Sequence, residues 1–241
     1  MFAIEKLSER AVGRIKVNGL IIAIDGPSGA GKSTLAKRLA RDLGFMYLDT
    51  GALYRALALK ILQQGLDLRD EAGLNVLLGQ TKIDLLEQNG SLRVLLDGQD
   101  VSGLIRTPEV SQMASKASAL RVVRQRLLEL QRELGQTGNV VAEGRDIGTV
   151  VFPQAEVKIY LDASVQERAR RRFEEHREAG RQVSLEDTLR EMEERDKRDS
   201  ERDLAPLCKA DDAMAMDSSS LTADAVAEQV MQEIRKKSLQ N

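Results

Sequence analysis

Eight consecutive residues restrict this chain more than any others: Gly26-Pro27-Ser28-Gly29-Ala30-Gly31-Lys32-Ser33. They fit G-x-x-x-x-G-K-[ST] in full, follow an apolar run at 20–24 and open a segment of helical period at 32–43, the context in which such a loop cradles phosphate. Glycines let the backbone wind tightly and aim successive N–H groups at an anion, and the helix start that follows adds its dipole. In that setting Lys32 is placed to reach β- and γ-phosphates, and the Ser33 hydroxyl to ligate Mg²⁺. Gly26, Pro27, Ser28, Gly29, Ala30, Gly31, Lys32, Ser33 and Thr34 are thus the expected ATP-binding residues, with Mg²⁺ arriving alongside the ATP.

A strand–loop–helix of this kind implies a parallel sheet, and the rest of the chain supplies one. Short runs rich in Ile, Val, Leu and Met recur at 20–24, 45–48, 139–142, 157–161 and 213–216. They are continuous rather than alternating, as strands covered on both faces read. Helical period appears at 32–43, 52–63, 108–117, 122–134, 165–177, 185–201 and 222–236, with Ser164/Glu167 and Ser184/Asp187 at capping-box-like spacing. The expected fold class is α/β: a parallel five-stranded sheet flanked by helices. Residues 81–87 and 92–96 break the alternation across Gln88-Asn89-Gly90-Ser91, a hairpin signal, so about 76–108 reads as a small antiparallel insertion or as an edge hairpin with no role. Residues 1–18 read as an irregular N-terminal extension.

Composition removes other chemistries. The 241 residues hold one cysteine, Cys208, and one histidine, His176, which excludes a Cys-based zinc cluster and a multi-His metal site and argues against a Ser-His-Asp hydrolase. Lys+Arg 36 against Asp+Glu 38 gives a net charge of −2, so no nucleic-acid polymer is an expected partner. No stretch approaches the ~20 apolar residues of a membrane span, and the first twenty carry Lys6, Arg10, Arg14 and Lys16 without an apolar core. A cytoplasmic location without membrane contact is expected, and a monomer is the default in the absence of coiled-coil heptads.

Nucleotide proteins differ in their second motif. No N-K-x-D base-reading motif follows any asparagine, and the nearest strand ending in an acid, Val140-Val141-Ala142-Glu143, turns at once into Gly144-Arg145-Asp146. Isolated arginines fit a small phosphotransferase, because an acceptor phosphate is already ionised and needs charge neutralisation rather than a base. Arg195, Arg198, Asp199 and Arg202 share one helical face. On periodicity alone that face reads equally as solvated surface held by Glu191–Arg195 and Glu194–Arg198 pairs.

Four stretches give the pattern an identity: Asp25-Gly26-Pro27, Tyr47-Leu48-Asp49-Thr50-Gly51-Ala52-Leu53-Tyr54-Arg55, Gly144-Arg145-Asp146-Ile147-Gly148-Thr149-Val150-Val151-Phe152-Pro153, and Glu194-Arg195-Asp196 through Asp199. From about residue 20 to the end, the chain closely resembles bacterial cytidylate kinase, a nucleoside monophosphate kinase. The resemblance implies transfer of the ATP γ-phosphoryl group to CMP or dCMP, giving ADP and CDP or dCDP. It implies a P-loop kinase core at 19–76, 109–167 and 185–241, an inserted monophosphate-binding domain at 77–108 and a helical lid at 168–184. A kinase for another small acceptor such as UMP, AMP or shikimate would keep the chemistry but lose the match at 47–55 and 144–153. A hydrolytic nucleotide switch would leave the arginines unexplained.

Carried over position by position, the resemblance makes Lys32, Arg55, Arg145 and Arg202 catalytic, the three arginines clamping the acceptor α-phosphate, with Arg106 joining from the end of the insertion. Ser115, Arg124 and Asp146 become the readers of cytosine, Asp146 accepting from the exocyclic amine. Arg195 and Asp199 become sugar contacts, and Thr50 and Tyr54 complete the acceptor set; Thr50 stands where relatives carry Ser. Ser115 reads otherwise as helix packing and Arg124 as a surface residue paired with Glu129. Asp49 is expected to cap the following helix, and His176 to be a bystander. Of the lid arginines, Arg168 and Arg172 share a face at i,i+4 and are the first candidates, against a plain solvated helix.

Overall fold

The computed structural model describes residues 19–88, 91–136 and 138–238. The expected N-terminal extension at 1–18 and the Asn89-Gly90 turn lie outside the described residues. In chain order the elements are β1 (Ile21–Asp25), α1 (Lys32–Leu43), β2 (Met46–Asp49), α2 (Thr50–Gln64), α3 (Glu71–Gly79), β3 (Ile83–Gln88), β4 (Ser91–Leu96), β5 (Gln99–Asp100), a 3₁₀ turn (Leu104–Arg106), α4 (Pro108–Ala117), α5 (Arg121–Gly135), β6 (Val140–Gly144), a π-helical turn (Ile147–Val151), β7 (Val157–Asp162), α6 (Val165–Glu178), α7 (Leu185–Glu201), β8 (Met214–Asp217) and α8 (Ala223–Ser238).

The five apolar runs all become strands of one sheet, ordered β2-β6-β1-β7-β8 and parallel throughout. Successive side chains alternate between two cores. Ala23, Leu48, Val140 and Ala142 face α2 and the packing around it, whereas Ile22, Ile24, Val141 and Ile159 face α1 and α8. A 12-residue helix such as α1 is marginal in isolation, so the burial of Leu35, Ala36, Leu39 and Ala40 is what holds it. The insertion is a three-stranded antiparallel sheet, β3-β4-β5, one strand more than the hairpin signal indicates.

Capping follows the expected side chains. Asp49 accepts from Ala52 N at 2.9 Å and starts α2 two residues ahead of its periodic signal. Ser164 and Ser184 cap α6 and α7 by accepting from Glu167 N and Asp187 N. Among the described residues, no helix is long and apolar enough to cross a membrane.

Candidate active site

The carboxyl edge of the parallel sheet, beside its central strand, is where this topology leaves a crevice. β1 ends in Asp25 and runs into the P-loop, β2 ends in Asp49, and β6 ends in Glu143-Gly144 before Arg145 and Asp146. Three neighbouring strands thus deliver acids and arginines to one edge.

The P-loop begins at Gly26, with φ +147°, where a Cβ would collide with the carbonyl oxygen of Leu161 on β7. Only a bare backbone can pass that close. The loop ends at Gly31, the N-cap of α1, where no side chain caps the helix and no acid lies in its first turn. Those orphan N–H groups and the positive end of the dipole are left for an outside anion. Lys32 is 6% exposed and donates from Nζ to the Pro27 carbonyl at 2.5 Å. Burial holds its pKa well below the usual lysine range; Arg145 and Arg195 add to that, while Glu143 and Asp25 oppose it. Ser33 and Thr34 are exposed on the first turn.

Asp25 receives two backbone hydrogen bonds, from Ile147 N and Gly148 N, each at 2.7 Å. Despite them its pKa is pushed up to about 6, first by burial and then by the nearby charge of Asp146. The turn it holds is π-helical: Val151 N donates to Asp146 O and Phe152 N to Ile147 O. Arg145 and Asp146 lie between the end of β6 and that turn, at the crevice. Glu143 is buried and accepts from the Tyr47 hydroxyl, and burial raises its pKa, helped by Asp49. The Ser33 hydroxyl stands near enough to the same carboxyl to favour its charged form.

Arg195 and Asp199 of α7 turn toward the same edge. Arg145 Nε meets Asp199 Oδ2 at 2.9 Å, and Arg195 stands 3.8 Å from the same carboxylate. Burial pushes the Asp199 carboxyl up, but Arg145 and Arg195 outweigh it and hold it below the usual range. Asp146 is ion-paired with Arg124, and Arg202 stands 3.6 Å from its other oxygen. The Tyr54 ring lies beneath Arg124, 6.0 Å from the guanidinium carbon. Arg55 pairs with Asp49 at 3.0 Å, and Thr50 donates to the Glu143 carbonyl at 2.7 Å. Ser115 lies buried on α4 and accepts from Arg198 Nε at 3.4 Å.

Positive charge exceeds what these acids neutralise. Burial lowers the Arg195 pKa to about 10, with Arg145, Arg55 and Arg172 also repelling its charge. Burial and Arg124 likewise lower that of Arg202. Arg55 Nε, Arg195 Nε and Arg202 Nη2 are buried nitrogens that make no hydrogen bond. Arg195 Nε and Arg202 Nη2 keep only long ionic contacts, 3.8 Å from Asp199 and 3.6 Å from Asp146, so these guanidiniums retain donor capacity that an anion would use.

The structure does not bring Arg106 into this cluster; its side chain is exposed, and its carbonyl accepts from Arg181 Nη2 at 3.2 Å. Arg168 and Arg172 part company despite their shared face. Arg172 lines a cleft with Ser28, Gln112, Met192 and Arg195, whereas Arg168 is buried against the P-loop. His176 is buried in the wall of that cleft beside Arg181, and burial lowers its pKa. Asp25, Glu143 and Tyr47 carry no assigned role in the sequence reading. An ionisable residue ending a buried parallel strand is the signal that would have found the two acids.

A family model described as cytidylate kinase matches residues 22–236. The chain is 50% identical over 216 residues to the cytidylate kinase of Carboxydothermus hydrogenoformans, covering 90% of this chain and 97% of that one. It is 49% identical over 219 residues to the cytidylate kinase of Bacillus licheniformis, again covering 90% and 97%. Among solved structures, an uncharacterized protein from Eubacterium ventriosum is similar with a TM-score of 0.52 at 15% identity, covering 90% of this chain and 99% of that one; this is a likeness of fold alone.

Proposed function

The chain belongs to the cytidylate kinase family, and on that premise we propose that its crevice transfers the γ-phosphoryl group of ATP to CMP or dCMP, releasing ADP and CDP or dCDP. The observation that carries the reading is the set of guanidinium nitrogens without a hydrogen bond on Arg55, Arg195 and Arg202, with Arg145 and Arg195 near enough to the buried P-loop lysine to repel its charge. Two anionic nucleotides would satisfy what the protein leaves open.

In this reading the P-loop N–H groups and Lys32 hold the ATP phosphates. Arg55, Arg145 and Arg202 orient the acceptor α-phosphate so that one of its oxygens attacks the γ-phosphorus as the bond to the β–γ bridging oxygen breaks. That oxygen is already ionised at neutral pH, so no general base is needed, and positioning plus charge stabilisation carry the rate. The hard oxygens of Ser33 and, behind it, Glu143 suit Mg²⁺, which takes few protein ligands and several from water and phosphate. When bound, Mg²⁺ supplies further neutralisation of the phosphate charge.

Asp146 and Arg124 read the cytosine edge with Ser115. Arg195 and Asp199 take the sugar, and Thr50 and Tyr54 line the acceptor pocket. The antiparallel sheet at 77–108 is the monophosphate-binding insertion, and 168–184 the lid. The Arg181–Arg106 contact supports a lid that meets the insertion over the cleft, with Arg172 on its inner side. Both nucleotides are soluble metabolites, which supports a cytoplasmic site of action.

An ADP-release assay with ATP and Mg²⁺, offering CMP, dCMP, UMP, AMP and GMP separately, tests the proposal. Turnover concentrated on CMP and dCMP is expected. Turnover with a purine acceptor instead would overturn the base-reading roles, and ATP hydrolysis indifferent to any acceptor would overturn the kinase reading.

A further inference from the structure

Three consecutive P-loop carbonyls are gripped from one side. Arg168 Nη1 donates to the Ser28 carbonyl at 3.2 Å, Arg171 Nη1 to the Gly29 carbonyl at 3.4 Å, and Ser218 Oγ to the Ala30 carbonyl at 2.9 Å. The gripping groups are themselves fixed. Arg168 donates from Nε to the Ala163 carbonyl at 2.9 Å and pairs with Asp196 at 2.6 Å. Arg171 forks onto Ser218, reaching Oγ at 3.2 Å and the carbonyl at 2.6 Å, while Ser218 N donates to Asp162 O at 2.8 Å. Gly29 allows the approach: a Cβ there would lie 3.1 Å from Arg168 Cβ and 3.0 Å from Met192 Cε.

The geometry has a direct consequence for the opposite side of the loop. In a planar trans peptide the C=O and the next residue's N–H point in opposite directions. Fixing the carbonyls of Ser28, Gly29 and Ala30 toward α6 and the end of β8 therefore turns the N–H groups of Gly29, Ala30 and Gly31 the other way. Successive N–H groups aligned like this form an anion cradle. A loop whose carbonyls could rotate would have to pay ordering entropy each time it received a phosphate.

We propose that Arg171 and Ser218 are positioning residues for the phosphoryl donor: together with Arg168 they preset the N–H cradle for the ATP phosphates without touching the nucleotide. The proposal rests on the reading of this loop as the ATP site. It separates the α6 arginines by task, with Arg172 facing the cleft and Arg168 and Arg171 gripping the loop from behind.

The test uses the full chain with Ser218→Ala, Arg171→Met and Arg171→Lys, measuring the ATP dissociation constant by calorimetry, the CMP KM and kcat, and Tm. Ser218→Ala removes the neutral hydrogen bond to the Ala30 carbonyl and one of the oxygens that Arg171 reaches, and is expected to weaken ATP roughly fivefold; Arg171→Met removes all of the charged bonds that Arg171 makes and is expected to weaken it more than about tenfold. Arg171→Lys, which keeps the charge but reaches fewer of the three oxygens, is expected to fall between Arg171→Met and the wild type. The CMP KM and Tm are expected to stay near wild type in Ser218→Ala. ATP binding within about twofold of wild type in both Ser218→Ala and Arg171→Met would overturn the proposal. So would ATP and CMP constants rising together with a lowered Tm, the signature of a scaffold bond alone. A wild-type protein that fails to bind ATP would instead refute the kinase reading itself.

Discussion

Replacing Asp146 by Asn should erase much of the preference for cytosine over uracil. Asp146 Oδ2 is engaged by Arg124, whereas Oδ1 accepts no hydrogen bond among the described residues, with Arg202 Nη2 3.6 Å away. On the proposed reading Oδ1 is the atom that meets the exocyclic amine of cytosine, and against uracil the same atom would face a carbonyl oxygen. In Asn the oxygen can stay with Arg124 and the amide nitrogen takes the place of Oδ1. A charge-assisted bond worth about 1.5–3 kcal/mol is then lost for CMP, while an unmade acceptor costing about 1–3 kcal/mol is relieved for UMP. At ~1.4 kcal/mol per tenfold, the sum of about 2.5–6 kcal/mol corresponds to a fall in the CMP/UMP ratio of kcat/KM of at least roughly fiftyfold. The assay is ADP release at saturating ATP with each acceptor varied in turn. A ratio unchanged within about twofold, in a variant with wild-type Tm, would refute the idea that this carboxylate reads the base.

Three further outcomes are expected. Lys32→Met should lower kcat by about 10²–10³ in the same assay, because a preorganised charge at the transferring group is removed; near-wild-type turnover would sink its catalytic role. Gly26→Ala forces a Cβ into the Leu161 carbonyl, so calorimetry should show Tm falling by roughly 5–10 °C; an unchanged Tm would mean the two strands separate freely. Asp25, with a folded pKa of about 6 against 3.8 for an ordinary aspartate, binds its proton more readily folded than unfolded, so stability is gained as pH falls between those values. Relative to Asp25→Asn, the wild type should gain about 1 kcal/mol between pH 7 and pH 5 in urea titrations, and no gain would mean that Asp25 titrates as an exposed acid.

What the amino-acid order makes legible is what is local. All five strands of the parallel sheet are readable because buried parallel strands are continuous apolar runs, and the P-loop because its residues are consecutive. α3 escapes because Glu71–Gly79 is short and contains Gly73 and Gly79; Leu74, Leu77 and Leu78 hold it by burial in the core. The π-helical turn escapes for a different reason, since Asp25, more than a hundred residues earlier, supplies its anchoring acceptors. The side-chain partners within the site are equally remote. Arg145 meets Asp199 across 54 residues, Arg124 meets Asp146 across 22, and Tyr47 meets Glu143 across 96. Periodicity sorts Arg195, Asp199 and Arg202 onto one face but does not tell whether that face meets water or the sheet edge; the fold decides for the edge. Arg168 and Arg172 show the converse limit, because a shared helical face does not oblige two side chains to turn the same way.

Asp25 sits at a junction between two halves of the molecule. Its own backbone leads directly into Gly26 and the proposed donor loop, while its carboxylate grips the turn that follows Arg145 and Asp146, on the proposed acceptor side. On the proposed reading, a nucleotide that shifts either half would move the other through that one carboxylate, which predicts that the two occupancies are thermodynamically linked. Linkage is reciprocal, so the factor by which bound donor tightens the acceptor must equal the factor by which bound acceptor tightens the donor. Asp25→Asn, with one acceptor oxygen where there were two, should move that factor toward one from both directions at once, as titrations of each nucleotide in the presence and absence of the other would read.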